Sequence, residues 1–291
     1  MSVLPSVACA PSAWAVAPLD PSFKAIPKSL WVWRTSLQQL AYVVEVARSL
    51  GVKRLLYSVP PDERASITRD AEARLRAELG DLEMIAVAGD NSWVFERSES
   101  GSYAVPAAVL QLLKIQANTG VFSGLCLDVE PQVLADWAGN AQQLCGGYLR
   151  LLESVKGLAS KLSLPLGAAV HPSYANVAMA SAGQTSALVA AMGLLDQATL
   201  MSYRQDHVAA LRLGARATQQ IAQSGKPWWF GLTTQNGPNA ALISHFGSAR
   251  SDFENRLEQL DGLLRGDLAG PHYQGLAIHD YVSVKALISS S

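Results

Sequence analysis

From Leu30 onward the chain alternates between short apolar runs and longer stretches in which apolar residues recur every three or four positions. The apolar runs occupy 30–33, 54–59, 83–88, 124–128, 165–170, 199–203, 228–233 and 274–279. Each is mostly apolar at consecutive positions. That is the pattern of a parallel strand covered on both faces, not of a strand with one wet side. The stretches between them read as helices. Leu37, Leu40, Val44 and Ala47 share a face behind Ser36 and Gln39, which have capping-box spacing, and Gly51 follows as a stop. Ile67, Ala71, Leu75 and Leu79 repeat the pattern up to Gly80. Leu144, Tyr148, Leu151, Val155, Leu158 and Leu162 mark a long fourth helix, and Gly225 with Pro227 separates the sixth helix from the seventh strand.

Eight strand–helix alternations in one chain predict an α/β protein, a single (β/α)8 TIM barrel over 29–291. Residues 1–28 fall outside the pattern. Positions 1–18 carry no charge and are rich in Ala, Val, Ser and Pro, with Ala15, Val16 and Ala17 in the style of a cleavage site. No basic segment precedes them, so the segment reads as an irregular N-terminal arm or a signal remnant. The Ser-rich stretch around Gly101 reads as a surface excursion.

Composition narrows the function. Of 291 residues, 49% are hydrophobic, enough for a large core. The net charge is −1, with both signs spread along the chain. No basic stripe points to nucleic acid, and no apolar run reaches membrane-spanning length. Cys9, Cys126 and Cys145 leave at least one thiol unpaired and match no zinc spacing. No cofactor or metal is expected, and the oligomeric state is open.

In a barrel of this kind the chemistry collects just after each strand. Asp128 and Glu130 end the fourth run two positions apart, so both side chains project to the same side. Acids are also common at helix N-termini, which is the plainer reading of the pair. Around the same rim fall Trp33, Asp90, His171, Tyr203, Gln205, Gln235, His279, Asp280 and Tyr281. Aromatics, carboxylates, His and Gln together suit a carbohydrate. Flat rings pack on sugar faces and polar groups bond the hydroxyls.

The run 124–130, ending Asp128-Val129-Glu130, resembles the fourth-strand signature of the chitinase-like family 18 glycoside hydrolases. Met201-Ser202-Tyr203 resembles the Met-x-Tyr that ends that family's sixth strand, and 275–281 resembles the last strand of several sugar-hydrolase barrels. The resemblance implies a catalytic trio. Glu130 would be the general acid. Asp128 would tune it and hold the substrate's acetamido group. Tyr203 would hydrogen-bond that group as it attacks the anomeric carbon. Two earlier signature acids are Ser123 and Cys126 here, and His279 with Tyr281 stands where a Trp closes the eighth strand. Two rivals follow. One is a barrel that binds glycans without turning them over. The other is a metal-dependent hydrolase using Asp128, Glu130, His171 and His279, although Trp31 and Trp33 occupy the first-strand positions where such barrels carry a His pair.

Overall fold

The structure, a computed structural model, describes residues 19–95, 103–180 and 185–289. Eight parallel strands close into a barrel: β1 Lys28–Val32, β2 Val52–Tyr57, β3 Glu83–Ala88, β4 Gly124–Leu127, β5 Leu166–Val170, β6 Gln197–Met201, β7 Trp228–Thr233 and β8 Tyr273–His279. Each pairs with its neighbours in the sequence, and β8 returns to β1, with Leu30 beside Ile278. Eight helices alternate with the strands: α1 Leu40–Ser49, α2 Arg69–Leu79, α3 Ala107–Thr119, α4 Trp137–Lys161, α5 Ala187–Leu194, α6 His207–Gln223, α7 Arg250–Leu263 and α8 Tyr281–Ser289. This is the (β/α)8 barrel that the alternation predicts. A two-stranded antiparallel ribbon, Ala178–Met179 with Thr185–Ser186, is added after β5.

Two cores hold the molecule together. The larger lies between the strands and the helix layer and takes the outward side chains, among them Leu30, Leu55, Leu125, Val170, Phe230 and Ile278. The smaller fills the barrel itself with Trp31, Leu56, Ile85, Val87, Cys126, Ala169 and Met201. Strand alternation divides the two sets, since neighbouring residues point to opposite faces. Both cores are dry, which explains why the strands read as continuous apolar runs. Trp228 faces the helices and donates its indole N–H to the Ala269 carbonyl at 3.3 Å, whereas Trp229 turns inward.

Helix ends follow the expected chemistry with one difference. Gly80 closes α2 at φ 63° and Gly51 follows α1 at φ 70°. Ser36 caps a short 3-10 turn, Leu37–Gln39, by accepting from the Gln38 N–H, so α1 itself begins one turn later, at Leu40. At the N-terminus, positions 1–18 lie outside the described residues. Pro21–Ala25 forms a short helix whose Phe23 is fully buried against Phe253 of α7. The described chain therefore joins the barrel before residue 29. The Ser-rich excursion at 96–102 also lies outside the described residues, as does Cys9.

Candidate active site

The carboxyl end of the barrel opens into a cavity of about 630 Å³ lined by Trp33, Arg34, Asp128, Gln235, His279 and Asp280. A cavity of about 680 Å³ also lies against Arg64, Arg69 and Lys114 on the helix layer, but no carboxylate lines it. The strand-end cavity is lined by two carboxylates and an imidazole.

Its floor is aromatic. Trp31 and Trp33, on the same face of β1 and the loop beyond, stack with ring centroids 5.8 Å apart. His279, at the end of β8, sets its ring edge-on to both. Tyr203, beyond β6, lies parallel to His279 at 6.2 Å. Gly231 of β7 leaves room for that stack, since a Cβ there would sit 3.2 Å from the Tyr203 ring and 2.9 Å from the Leu200 carbonyl. Burial lowers the His279 pKa to about 4, so the imidazole is neutral at ordinary pH. The peptide bond from His279 to Asp280 is cis.

Asp128 and Glu130 are half-buried at the mouth of β4. Burial pushes both above the usual carboxylate range, Asp128 to about 7. The Glu130 charge raises Asp128 further, because two carboxylates close together resist carrying two charges. One Asp128 oxygen, Oδ1, is buried with no hydrogen-bond partner in the described structure. Gly89, beyond β3, lets the two strand ends approach closely. A Cβ on it would fall 1.8 Å from the Asp128 carbonyl oxygen. Glu130 is held from the other side. Its backbone N–H donates to Asn91 Oδ1 at 2.7 Å, and its Oε2 accepts from Gln132 Nε2 at 2.6 Å. The Tyr174 hydroxyl in turn donates to Gln132 Oε1. The Gln132 contact favours ionised Glu130 and so opposes the effect of burial. Tyr203 feels both carboxylates. Burial and their charges push its phenol well above its ordinary value, so it stays protonated as a donor.

The remaining rim residues take other places. Asp280 lines the cavity but has both oxygens engaged. Oδ1 accepts from the Ser283 N–H and hydroxyl, capping α8, and Oδ2 accepts from Gln235 Nε2 at 3.0 Å. Asp90 is exposed and takes Ser92 through its backbone and hydroxyl, which holds it below the usual carboxylate range. His171 pairs its Nδ1 with the Ser173 hydroxyl at 2.8 Å and leans on Tyr174. The backbone of Gln205 binds the Leu242 carbonyl and accepts from Arg256. Tyr281 is buried in the first turn of α8. The structure thus brings Trp33, Asp128, Tyr203, Gln235, His279 and Asp280 together around or beneath one cavity with Glu130 beside them, and leaves Asp90, Gln205 and Tyr281 outside it. Gln132 and Asn91 were not singled out in the sequence. Their only signal is position, each within two residues of a strand-end acid. Among the described residues no three His, Cys, Asp or Glu side chains gather to hold a metal ion. No described helix is long and apolar enough to cross a membrane.

A family 18 chitinase from Cycas revoluta, solved with (GlcNAc)3, superposes with a TM-score of 0.55 at 13% identity, over 91% of this chain and 98% of that one. The fold is that of the family 18 chitinase barrels. The C-terminal domain of a candidate chitinase from Desulfitobacterium hafniense gives a TM-score of 0.50 at 10% identity, over 91% and 98%. A class V chitinase from Nicotiana tobaccum superposes more loosely, with a TM-score of 0.48 at 14% identity over 71% of this chain. The chain spans 66% of the length of that protein. No family model and no curated protein matches the sequence.

Proposed function

We propose that the protein is a glycoside hydrolase acting on a polysaccharide that contains N-acetylated amino sugars, with Glu130 as general acid. The observation that carries this reading is the Asp128–Glu130 pair. The two acids stand half-buried at the mouth of a barrel strand, both raised above their ordinary values by burial, beside an aromatic-floored cavity and a protonated Tyr203. A carboxyl group that holds its proton more tightly than usual suits the protonation of a glycosidic oxygen. The Cycas enzyme with this fold was solved with a GlcNAc trimer, which suggests the same class of sugar here.

In the proposed reaction, Glu130 gives its proton to the glycosidic oxygen as the bond from that oxygen to the anomeric carbon breaks. The acetamido oxygen of the same sugar attacks the anomeric carbon, forming a cyclic oxazolinium ion. Asp128 accepts a hydrogen bond from the acetamido N–H, and the Tyr203 hydroxyl donates to the acetamido oxygen. Water then adds to the anomeric carbon as the bond from that carbon to the acetamido oxygen breaks and the acetamido group is restored, with Glu130, now a carboxylate, taking the water's proton. The ring closure places a neighbouring group instead of a second enzyme carboxylate behind the sugar. This suits a site in which both oxygens of Asp280 are already bonded.

A glycan-binding barrel without turnover is the second reading, and one observation favours it. The group beneath Asp128 is Cys126, whose buried thiol is pushed up to about 12 and stays neutral. It cannot share charge with Asp128 as an acid would. The two readings separate in one paired experiment on the parent protein: a calorimetric titration with GlcNAc oligomers and a reducing-end product assay under the same conditions. Binding with product formation is expected. Binding without product would establish the silent barrel.

A further inference from the structure

A chain of direct hydrogen bonds runs from Glu130 into the core behind the cavity. Gln132 Nε2 donates to Glu130 Oε2 at 2.6 Å, and the Tyr174 hydroxyl donates to Gln132 Oε1. Tyr174 is fully buried, in the 3-10 turn Pro172–Asn176 that follows β5. Its ring is fixed from three directions, with centroids 5.6 Å from Tyr148, 6.0 Å from Trp137 and 6.3 Å from His171. His171 also caps the turn, because its Nδ1 accepts from the Ser173 N–H at 3.2 Å. Burial, with the Arg204 charge added, lowers the His171 pKa, so Nδ1 stays free of a second proton and able to accept.

A glutamine amide accepts at one end and donates at the other. The Tyr174 proton can go only to Oε1, which leaves Nε2 toward Glu130. Turned over, the amide would present Oε1 to Glu130, an arrangement that suits only the protonated acid. The turn would also strip Tyr174 of its acceptor, since Gln132 Oε1 is the one acceptor of that hydroxyl among the described residues. A buried donor left without an acceptor is costly. Tyr174 therefore holds the amide one way round. Burial, with the Glu130 and Asp128 charges among the groups that reinforce it, keeps the phenol well above its ordinary value, so the hydroxyl carries its proton throughout.

Glu130 has use for such a partner. In the proposed reaction it gives up a proton and then waits as a carboxylate. Burial makes the proton hard to release, and a donor held on Oε2 opposes that. The titratable groups that feel the Glu130 charge are Asp128 beside it, Tyr174 beyond β5 and Tyr203 beyond β6. Both phenols stay protonated, so Asp128 is the one neighbour that titrates with Glu130.

We propose that Tyr174 is a positioning residue for the general acid: it locks the Gln132 amide with Nε2 toward Glu130 and so sets the pH at which Glu130 releases its proton. The proposal rests on the reading of Glu130 as the acid.

The test reads the Glu130 carboxyl directly, by NMR of the full chain labelled with carboxyl-13C glutamate. All chains carry Asp128→Asn, so that Glu130 titrates without its coupled neighbour, and the Glu130 signal is identified by its loss on Glu130→Gln. Tyr174→Phe is expected to raise the Glu130 midpoint by about one pH unit, and Gln132→Met to raise it similarly. Adding Tyr174→Phe to Gln132→Met should move it no further, because the effect passes through the amide. An unmoved midpoint in Tyr174→Phe would overturn the proposal. So would a shift of the same size in the Gln132→Met background, since Tyr174 would then act on Glu130 by another route. If Tyr174→Phe does not fold, the chain with Tyr174 intact decides: its Gln132 side-chain N–H signals should move with the Glu130 midpoint, and signals that stay still would overturn the proposal. Because no arm depends on turnover, a parent that forms no product counts against the glycosidase reading alone.

Discussion

Glu130 is set between opposing influences. Burial raises its pKa, while the N–H from Gln132 lowers it. Gln132→Met removes that donor and keeps the length of the side chain. A hydrogen bond to a charged group is worth about 1.5–3 kcal/mol, or about one to two pH units. The general acid should therefore hold its proton to higher pH. The alkaline limb of the kcat–pH profile is expected to move upward by about one unit, with KM little changed. A uniform drop in kcat with an unmoved limb would show that Gln132 only packs. Asp128 yields a stability prediction of definite sign. Its folded pKa is about 7, against an ordinary value of 3.8. Between those values the folded chain binds more protons than the unfolded one, so stability falls as pH rises through that window, and the full cost is present above it. Asp128→Asn should be more stable than the parent at pH 8, by up to about 4 kcal/mol, and so melt higher there, and it should match the parent near pH 4. Equal melting temperatures at both pH values would mean that Asp128 is an ordinary carboxylate. A stabilised but impaired variant is what a site built at the expense of stability produces.

At the scale of elements, the site depends on how two strand ends meet. Gly89 has no room for a Cβ, because the Asp128 carbonyl would be 1.8 Å from it. Gly89→Ala must push the ends of β3 and β4 apart. It is expected to lower stability by about 1–3 kcal/mol and to cut turnover more than binding, because Asp128 and Glu130 move with β4. Denaturant unfolding beside steady-state kinetics checks both parts. Asp280 has a different role, as the cap of α8. Asp280→Ala should cost about 1 kcal/mol of stability and release Gln235, leaving the proton inventory of the Asp128–Glu130 pair unchanged. A pH profile displaced by Asp280→Ala would show instead that Asp280 acts in the chemistry.

For the whole molecule, the alternation of two-sided apolar runs with helical stretches was enough to read the closed barrel, because both faces of every strand are dry. β3 and β7 have the bounds expected. β1 begins at Lys28 and β6 at Gln197, each two residues before its apolar run. Both early segments carry buried or half-buried polar groups, Lys28 with Ser29 in β1 and Gln197 in β6. Hydrophobic pattern does not register them: Lys28 is satisfied by the Phe23 and Ile26 carbonyls, and Gln197 by Arg54, 143 residues away in sequence. The candidate site was legible to a similar depth. Strand ends locate Asp128, Tyr203 and His279, since position after an apolar run is a property of the sequence. Whether a strand-end side chain turns to the cavity or into the helix layer depends on local turns, and so Asp90 and Tyr281 could not be told apart from Gln235 beforehand.

In the proposed reaction Glu130 delivers the proton, and replacing that one group tests this. Glu130→Gln preserves shape and hydrogen bonding but has no proton to give. Measured on a GlcNAc oligomer beside the parent, it is expected to lose roughly 10²–10⁴-fold or more in turnover while oligomer binding by calorimetry stays within a few-fold. Turnover within a few-fold of the parent would remove Glu130 as the acid.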